Sequence, residues 1–424
     1  MKAYIIKSQR VIYPFGSADR VYSPMLNYSN LLKEELALEK LEVRFIKSLV
    51  EIDTANEYLL MPDYVFITAG LIKKFLFLCK NTPDIPLRLT VPESRLTGYY
   101  TTLMDLDRIE LNGERNLQFD VFYLPAGYRI DKECSFDEMI MTLRENSSPV
   151  RVVQSFGIRL NRLSNVNGKP YFEEFPLTDE IVGHQRIWFH SLLMNILYLG
   201  TYRNRVQDCQ YSFGFMHRKK FVDTGMVRNS IIGSNVWIHP TAIIEDSVIA
   251  DNVRIGASTV IKNSVIMRDA NIGDHNIIKY SLIGENVNSL SNSVFEYSVI
   301  APDSTISNLS FCYSMLGRGT FLTTAVIFLY EGINETIKLN YNGDNLDTGR
   351  YFLGSAAGDG CVLGTRAIIN PGMVIPAQTI IVLRPEEGVM KIPELNETDY
   401  YIWDAATIKR FEDVFKEFDK TDYI

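Results

Sequence analysis

Residues 226–283 read MVRNSIIGSNVWIHPTAIIEDSVIADNVRIGASTVIKNSVIMRDANIGDHNIIKYSLI. The aliphatic residues keep a fixed step. Ile232, Ile238 and Ile244 are six apart, Ile249 follows after five, and Ile255 and Ile261 return to six. Ile266, Ile272 and Ile278 repeat that 6-6-5 rhythm and Ile283 opens the next round, so one round takes 17 residues. A second series lies two residues earlier and is mostly small: Ser230, Val236 and Ala242, then Ser247, Val253 and Thr259, then Ser264, Ala270 and Asn276. An amphipathic helix needs a period of about 3.6, which this spacing does not give. The step predicts a triangular coil whose sides are short strands, each turning one aliphatic and one small residue inward. Stacked coils pair backbone to backbone and bury the aliphatic column. Gly233, Asn252, Gly256 and Gly273 fall between the sides, where a positive φ is expected.

Outward from this stretch the rhythm continues through Leu290, Phe295, Ile300, Ile306 and Cys312. It is lost from Thr320 to Phe352 and returns at Leu363, Ile369, Ile375 and Ile381, preceded by Cys361, Ala367, Met373 and Thr379. The expected domain is therefore an all-β parallel β-helix over 226–395 with a loop inserted at 320–352. Long loops in compact domains are usually functional.

Residues 1–205 have another texture. Tyr4–Ile6, Val43–Ile46, Tyr64–Thr68 and Leu87–Val91 are β-rich, with helical patterns over Ser29–Leu41 and Gly70–Lys80. The alternation predicts an α/β layer with a partly parallel sheet. Asn112–Leu124 reads as a hairpin region, and Ser135–Glu145 as a helix with Ser135 as N-cap and Glu138 completing a capping box. Thr178–Arg203 is expected to be one long helix, 206–225 a connector, and 396–424 a cap containing a helix from Asp404 to Phe418.

The chain has 424 residues, 46% of them hydrophobic, and a net charge of −8. That balance argues against a general affinity for nucleic acid or an anionic membrane. No apolar run of about 18 residues reads as a transmembrane helix, and MKAYIIKSQR lacks the apolar core of a signal peptide. Cys79, Cys134, Cys209, Cys312 and Cys361 are scattered without a CxxC pair, so a reduced, cytoplasmic compartment is expected.

An α/β domain followed by a hexapeptide β-helix resembles the sugar-1-phosphate nucleotidylyltransferases with a fused β-helix. The nearest likeness is to the bifunctional bacterial and archaeal enzymes of the N-acetylglucosamine-1-phosphate uridylyltransferase kind. It is strongest in DTGRYFLGSAAGDGCVLGTRAIINPGMVIP, Asp347–Pro376, and in the preceding ETIKLNYNGDNLDTG. The resemblance implies a nucleotidylyltransferase-like α/β domain, a left-handed β-helix, a homotrimer, Mg²⁺ for nucleotidyl transfer and acetyl-CoA for acyl transfer. In SQRVIYPFGSADRVYSPMLNYSNLL it maps Gly16, Arg20 and Pro24 onto the phosphate-binding loop, with Met25 where the family carries Lys. In EYLLMPDYVFIT it maps Asp63 onto a Mg²⁺ ligand, and in WFHSLLMN it maps His190 onto the position of a second Asp. In TISNLSFCYSMLGRG it places Asn308 where the acyltransferases carry a catalytic His, leaving His275, about two coils earlier, as the other candidate base. Within the insertion, Arg350 is a candidate phosphate contact and Asn340 and Asn342 candidate sugar contacts; Arg350 paired with Asp347 is the structural alternative.

The resulting expectation is a sugar-nucleotide or acyl-CoA-type transferase of sugar-phosphate or polysaccharide metabolism with altered catalytic residues. The alternative is a non-catalytic relative that binds a sugar phosphate or nucleotide and regulates or scaffolds. A purely structural β-helix fits poorly with so large an insertion.

Overall fold

The computed structural model describes residues 1–17, 28–80, 82, 84–166, 169–207, 220–224, 226–307, 310–332, 335–341, 343–382, 401–404 and 407–410. The chain opens with β1 (Lys2–Ile6), a small hairpin of β2 (Val11–Ile12) and β3 (Gly16–Ser17), and helix α1 (Tyr28–Leu38). There follow β4 (Glu42–Ile46), β5 (Tyr58–Pro62), β6 (Val65–Ile67), α2 (Ala69–Cys79), β7 (Leu87–Pro92) and α3 (Arg95–Tyr100). Next come β8 (Asp107–Leu111), β9 (Glu114–Leu124), α4 (Phe136–Asn146) and β10 (Ser148–Arg151). A long hairpin of β11 (Gly157–Val166) and β12 (Lys169–Leu177), then β13 (Val182–His184) and α5 (Trp188–Gln207), complete the first half.

The main sheet has the order β10-β7-β9-β5-β1-β4, with β9 antiparallel to its neighbours β5 and β7. Successive residues of β1 face opposite sides. Ala3 and Ile5 join the core beneath α1, α2 and α5, while Tyr4 and Ile6 meet Met139 and Leu143 of α4. The expected capping box at Ser135 and Glu138 is present. The hairpin expected at Asn112–Leu124 turns at Asn112 and Gly113, both at positive φ, and so begins earlier, with β8.

The expected long helix from Thr178 starts ten residues later. Thr178 instead makes a local turn, its hydroxyl donating to Ser155 O and accepting from Glu180 N. Val182–His184 is claimed by pairing with β6 before the helix begins. From Trp188 to Leu199 every residue of α5 is buried. A helix apolar or packed all round belongs between two layers, and α5 lies between the main sheet and the β-helix.

That second layer is a left-handed parallel β-helix. In the connector region, β14 (Lys220–Thr224) pairs antiparallel with β15 (Val227–Ile232), which starts the coils. Ile244, Ile249, Ile255, Ile261, Ile266, Ile272, Ile278 and Ile283 form the inner column, as the step predicts. The serines of the second series make a ladder: Ser247 N donates to Ser230 Oγ at 3.1 Å, Ser264 N to Ser247 Oγ at 3.2 Å and Ser281 N to Ser264 Oγ at 3.2 Å.

Several details differ from expectation. Ser289, not Leu290, sits in the column between Ile272 and Ile306, and Phe311, not Cys312, pairs with Phe295. Register is fixed by the coils above and below, and a slip of one residue turns a side chain outward; Leu290 is exposed. The glycines at 233, 256 and 273 are not at positive φ. They are needed for close approach: a Cβ on Gly256 would lie 2.6 Å from the carbonyl carbon of Gly273. Positive φ is carried by residues such as Asn235, Asp246, Asn252, Ser258 and His275. The insertion is shorter than expected. Phe321–Leu322 and Ile327–Phe328 still pair as coil strands, and the break follows Phe328. In the tail, Asp404 and Thr407–Arg410, expected in a helix from Asp404, belong instead to paired strands Tyr401–Asp404 and Thr407–Arg410, and the rest of that helix lies outside the described residues.

One face of the β-helix is covered from outside. Ile231, Val248, Val265, Leu282, Val299, Met315 and Ala356 pair in register, point outward and are buried against the α/β domain. At roughly 25 cal/mol per Å² of apolar surface, this column gives the two domains one continuous core.

Candidate active site

In open α/β sheets, ligands bind beyond the carboxyl ends of the parallel strands. Here β1 and β5 end side by side, Ile6 opposite Pro62. The residues that follow meet at that edge. Asp63 Oδ1 accepts from Ser8 N at 3.1 Å and from Ser8 Oγ at 2.5 Å. The Arg10 guanidinium lies over the Tyr64 ring, 3.7 Å from its centroid, and donates to Gln185 O at 3.3 Å. β13 closes the edge from the other side, with His184 paired to Val65 and Gln185 N donating to Tyr64 O.

Beneath this edge lies a buried charge cluster that the sequence reading did not find. Asp120 of β9 accepts from Arg88 at 2.8 Å, from Arg144 at 2.9 and 2.7 Å, and from the Tyr64 hydroxyl at 2.8 Å. Burial works against the Asp120 charge, but His184, Arg144 and Arg88 outweigh it and hold the carboxyl well below the usual range. His184 Nε2 accepts from Asp120 N at 2.9 Å, and burial lowers its pKa to about 4. The signal was available: Asp120 and Arg88 each interrupt an apolar strand, and charges in such places are seldom buried unless paired.

Among the described residues, three buried donors around β13 have no hydrogen-bond acceptor: His184 Nδ1, Gln185 Nε2 and Trp188 Nε1. Leaving a donor buried and unmet costs about 1–3 kcal/mol, so each of the three would gain from an acceptor.

The expected site residues are dispersed. Asp63 is at the strand edge, while Gly16 belongs to the β2–β3 hairpin rather than to a glycine-rich loop opening a helix. That hairpin abuts the β-helix, where a Cβ on Gly358 would lie 3.0 Å from Pro14 O. Arg20, Pro24, Met25, Asn308 and Asn342 lie outside the described residues. His190 is not at the strand edge; its Nδ1 accepts from Arg186 N and its Nε2 donates to Thr102 O at 2.9 Å, so the ring is a packed element of α5. His275 is an exposed corner residue at φ +57°.

The insertion turns toward the α/β domain. Its hairpin, Lys338–Tyr341 with Asp344–Asp347, carries the exposed Asn340. Arg350 does not pair with Asp347. It donates to Tyr99 O at 2.6 Å and lies 4.4 Å from the Tyr99 ring centroid and 5.6 Å from that of Phe189. Asp347 instead accepts from Gly349 N and Thr336 Oγ1. Arg186 lies 5.2 Å from the Tyr341 ring centroid. The insertion is therefore a clasp between the two halves of the molecule.

Mg²⁺ demands oxygen ligands in near-octahedral geometry, usually one or two carboxylates plus phosphate. Among the described residues the strand edge offers Asp63, with one oxygen held by Ser8, and beside it Arg10, His184 and Gln185. Among the described residues no group of three or more His, Cys, Asp and Glu is placed to hold a metal ion. A single carboxylate is the fewest that Mg²⁺ usually takes.

Comparison with known proteins agrees for the second half. Residues 226–384 match the family model described as the GMPPB C-terminal domain, a hexapeptide β-helix domain of sugar-phosphate nucleotidyltransferases. The match covers the β-helix and less than half of the chain. No curated protein matches the chain. The likeness to that family is one of the β-helix domain alone. Among the described residues no helix is long and apolar enough to cross a membrane.

Proposed function

We propose that this protein is a non-catalytic relative of the sugar-phosphate nucleotidyltransferases that binds a sugar phosphate or nucleotide and acts as a regulatory or scaffolding subunit. The observation that carries it is the strand edge itself. Among the described residues the edge presents a guanidinium and buried N–H donors beside a single carboxylate, one oxygen of which is engaged by Ser8. Such donors suit an anion bound directly, without a cation between protein and phosphate. Transfer also requires neutralisation of the departing pyrophosphate, and Met25 stands where the resembling enzymes place Lys.

The test is pyrophosphate release from nucleoside triphosphates with hexose 1-phosphates and Mg²⁺, run beside a thermal-shift screen of the same compounds. Stabilisation without turnover is expected. Turnover that disappears in Asp63→Ala refutes the non-catalytic assignment.

A homotrimer remains part of the proposal. The outward residues Ile243, Val260, Ile277 and Val294 form a half-buried apolar column on a second face of the β-helix, and Ile327 and Ile368 beyond them are exposed. A second copy of the chain is the proposed cover. Use of acetyl-CoA and a cytoplasmic location stay expectations of the resemblance and of the cysteine pattern.

A further inference from the structure

The three faces of the β-helix differ in what they turn outward. The first is covered by the α/β domain, and the second carries the apolar column of Ile243, Val260, Ile277 and Val294. On the third, Trp237, Arg254, Asn271, Asn288, Thr305 and Phe321 pair in register, one from each successive coil. Four polar rungs thus lie between two aromatic ones, and both aromatics are open to solvent, Trp237 at 54% and Phe321 at 43%. The five steps of about 4.8 Å place them about 24 Å apart.

Around Trp237 the face is hollowed into a groove of about 710 Å³ lined by Asn235, Asn252, Arg254, Asn271 and Asp274, all exposed. Its side chains are held in place. His239 stands edge-on to the indole, with ring centroids 5.9 Å apart. Asn235 donates to Asn252 and Asn252 to Asp269, both at 3.0 Å, and Asn271 donates to Asn288 at 2.9 Å. An amide has two N–H donors and a carbonyl with two lone pairs, so each ladder fixes its amides and leaves further donors and acceptors on every rung. Groups already ordered lose less freedom when a ligand arrives.

This combination suits sugar rings. Pyranose C–H groups carry slight positive charge and pack on the negative face of an indole, while fixed amides and a guanidinium meet the hydroxyls. Among the described residues Arg254 enters no ion pair. Asp274 lines the same groove and Asp269 ends the amide row. One cation beside two carboxylates does not draw in a polyanion, so nucleic acid and phosphorylated ligands fit poorly. We propose that this face binds an uncharged, extended oligosaccharide chain, with one sugar stacked on Trp237, its neighbours on the polar rungs and the far end at Phe321. The site is separate from the strand edge and does not depend on the function proposed there.

Calorimetric titration of the full chain tests it with maltohexaose, cellohexaose, mannohexaose and xylohexaose, each beside its trisaccharide, and with glucose and heparin. At least one hexasaccharide is expected to bind saturably, and about tenfold or more tighter than glucose. Trp237→Ala should weaken that binding about tenfold or more, as for a central aromatic anchor, and Trp237→Phe by less. Both side chains replaced are exposed, so melting temperatures should not change. Phe321→Ala should weaken the hexasaccharide and leave its trisaccharide unaffected. Asp63→Ala, at the strand edge, should leave both unaffected. No binding by any hexasaccharide, or binding undiminished in Trp237→Ala, overturns the site. Heparin bound as tightly overturns the uncharged ligand class, and equal loss of both lengths in Phe321→Ala overturns the alignment along the column.

Discussion

Asp120→Asn tests how much of the α/β domain depends on the buried charge cluster. The substitution keeps the shape of the side chain and removes its charge. Asp120 is fully buried and Arg88 is 1% exposed, so the Arg88 charge cannot reach water. Breaking a buried pair by removing one partner typically costs 3–5 kcal/mol. Two features moderate the cost here: Arg88 keeps Asp107 at 2.6 Å, and Arg144 is 17% exposed and can rehydrate. The expected loss is therefore at the lower end, about 3 kcal/mol. Urea denaturation with the slope held constant measures it as a fall in midpoint. A loss below about 1 kcal/mol, the level of a surface pair, would refute the claim that Asp120 compensates two arginines. The double variant Asp120→Leu with Arg88→Met should be less destabilised than Asp120→Asn alone, since no arginine charge is then left fully buried.

Ile255→Ala should cost about 2–5 kcal/mol, because the residue is fully buried between Ile238 and Ile272 in the inner column; a cost below about 0.5 kcal/mol would show the register to be wrong. Acidification should destabilise the protein between pH 6.5 and about 4. Burial lowers His184 to about 4 and His190 to about 3, while the unfolded chain takes up those protons near 6.5. Their contribution is therefore full above pH 6.5 and lost as pH falls, on the order of 3 kcal/mol for His184; His184→Gln should flatten the profile measured by thermal melts, and an unchanged profile would exclude this histidine. Arg350→Ala should loosen the clasp, costing about 1–2 kcal/mol and speeding amide exchange over Lys338–Asp347; unchanged exchange would mean that the hairpin is held by other contacts.

Much of the β-helix could be read from the sequence because its constraint is local and repeated. Each coil must offer an aliphatic and a small residue at the same step, so Ile232 to Ile283 spells the core directly. The slips came where one residue breaks the step: Ser289 fills a column position that an adjacent Leu290 disguises, and Phe311 precedes the more conspicuous Cys312. A further signal went unread. On the side carrying the serine ladder, the residue between Ser and the inner aliphatic is itself apolar: Ile231, Val248, Val265, Leu282, Val299, Met315. An outward apolar column in a β-helix announces a partner, here α5 and β12. The strand edge was less legible. Asp63 lies there, but its surroundings depend on pairings distant in sequence, β6 with β13 and β9 with the arginines of β7 and α4. No local pattern distinguishes His184, which faces Asp120, from His190, which caps its own helix turn.

The clasp made by the insertion has a consequence for length. The α/β domain grips the β-helix at two heights: along the outer column starting at Ile231, and again where Arg350 reaches Tyr99. Between these points the coils act as a ruler graduated in steps of about 4.8 Å. Excising one whole 17-residue round would leave the inner column continuous, yet carry Arg350 a full graduation away from a carbonyl it now meets at 2.6 Å. A free-standing coil stack tolerates gain or loss of a repeat; this one is gauged against a second domain, and its number of turns is part of what that domain recognises.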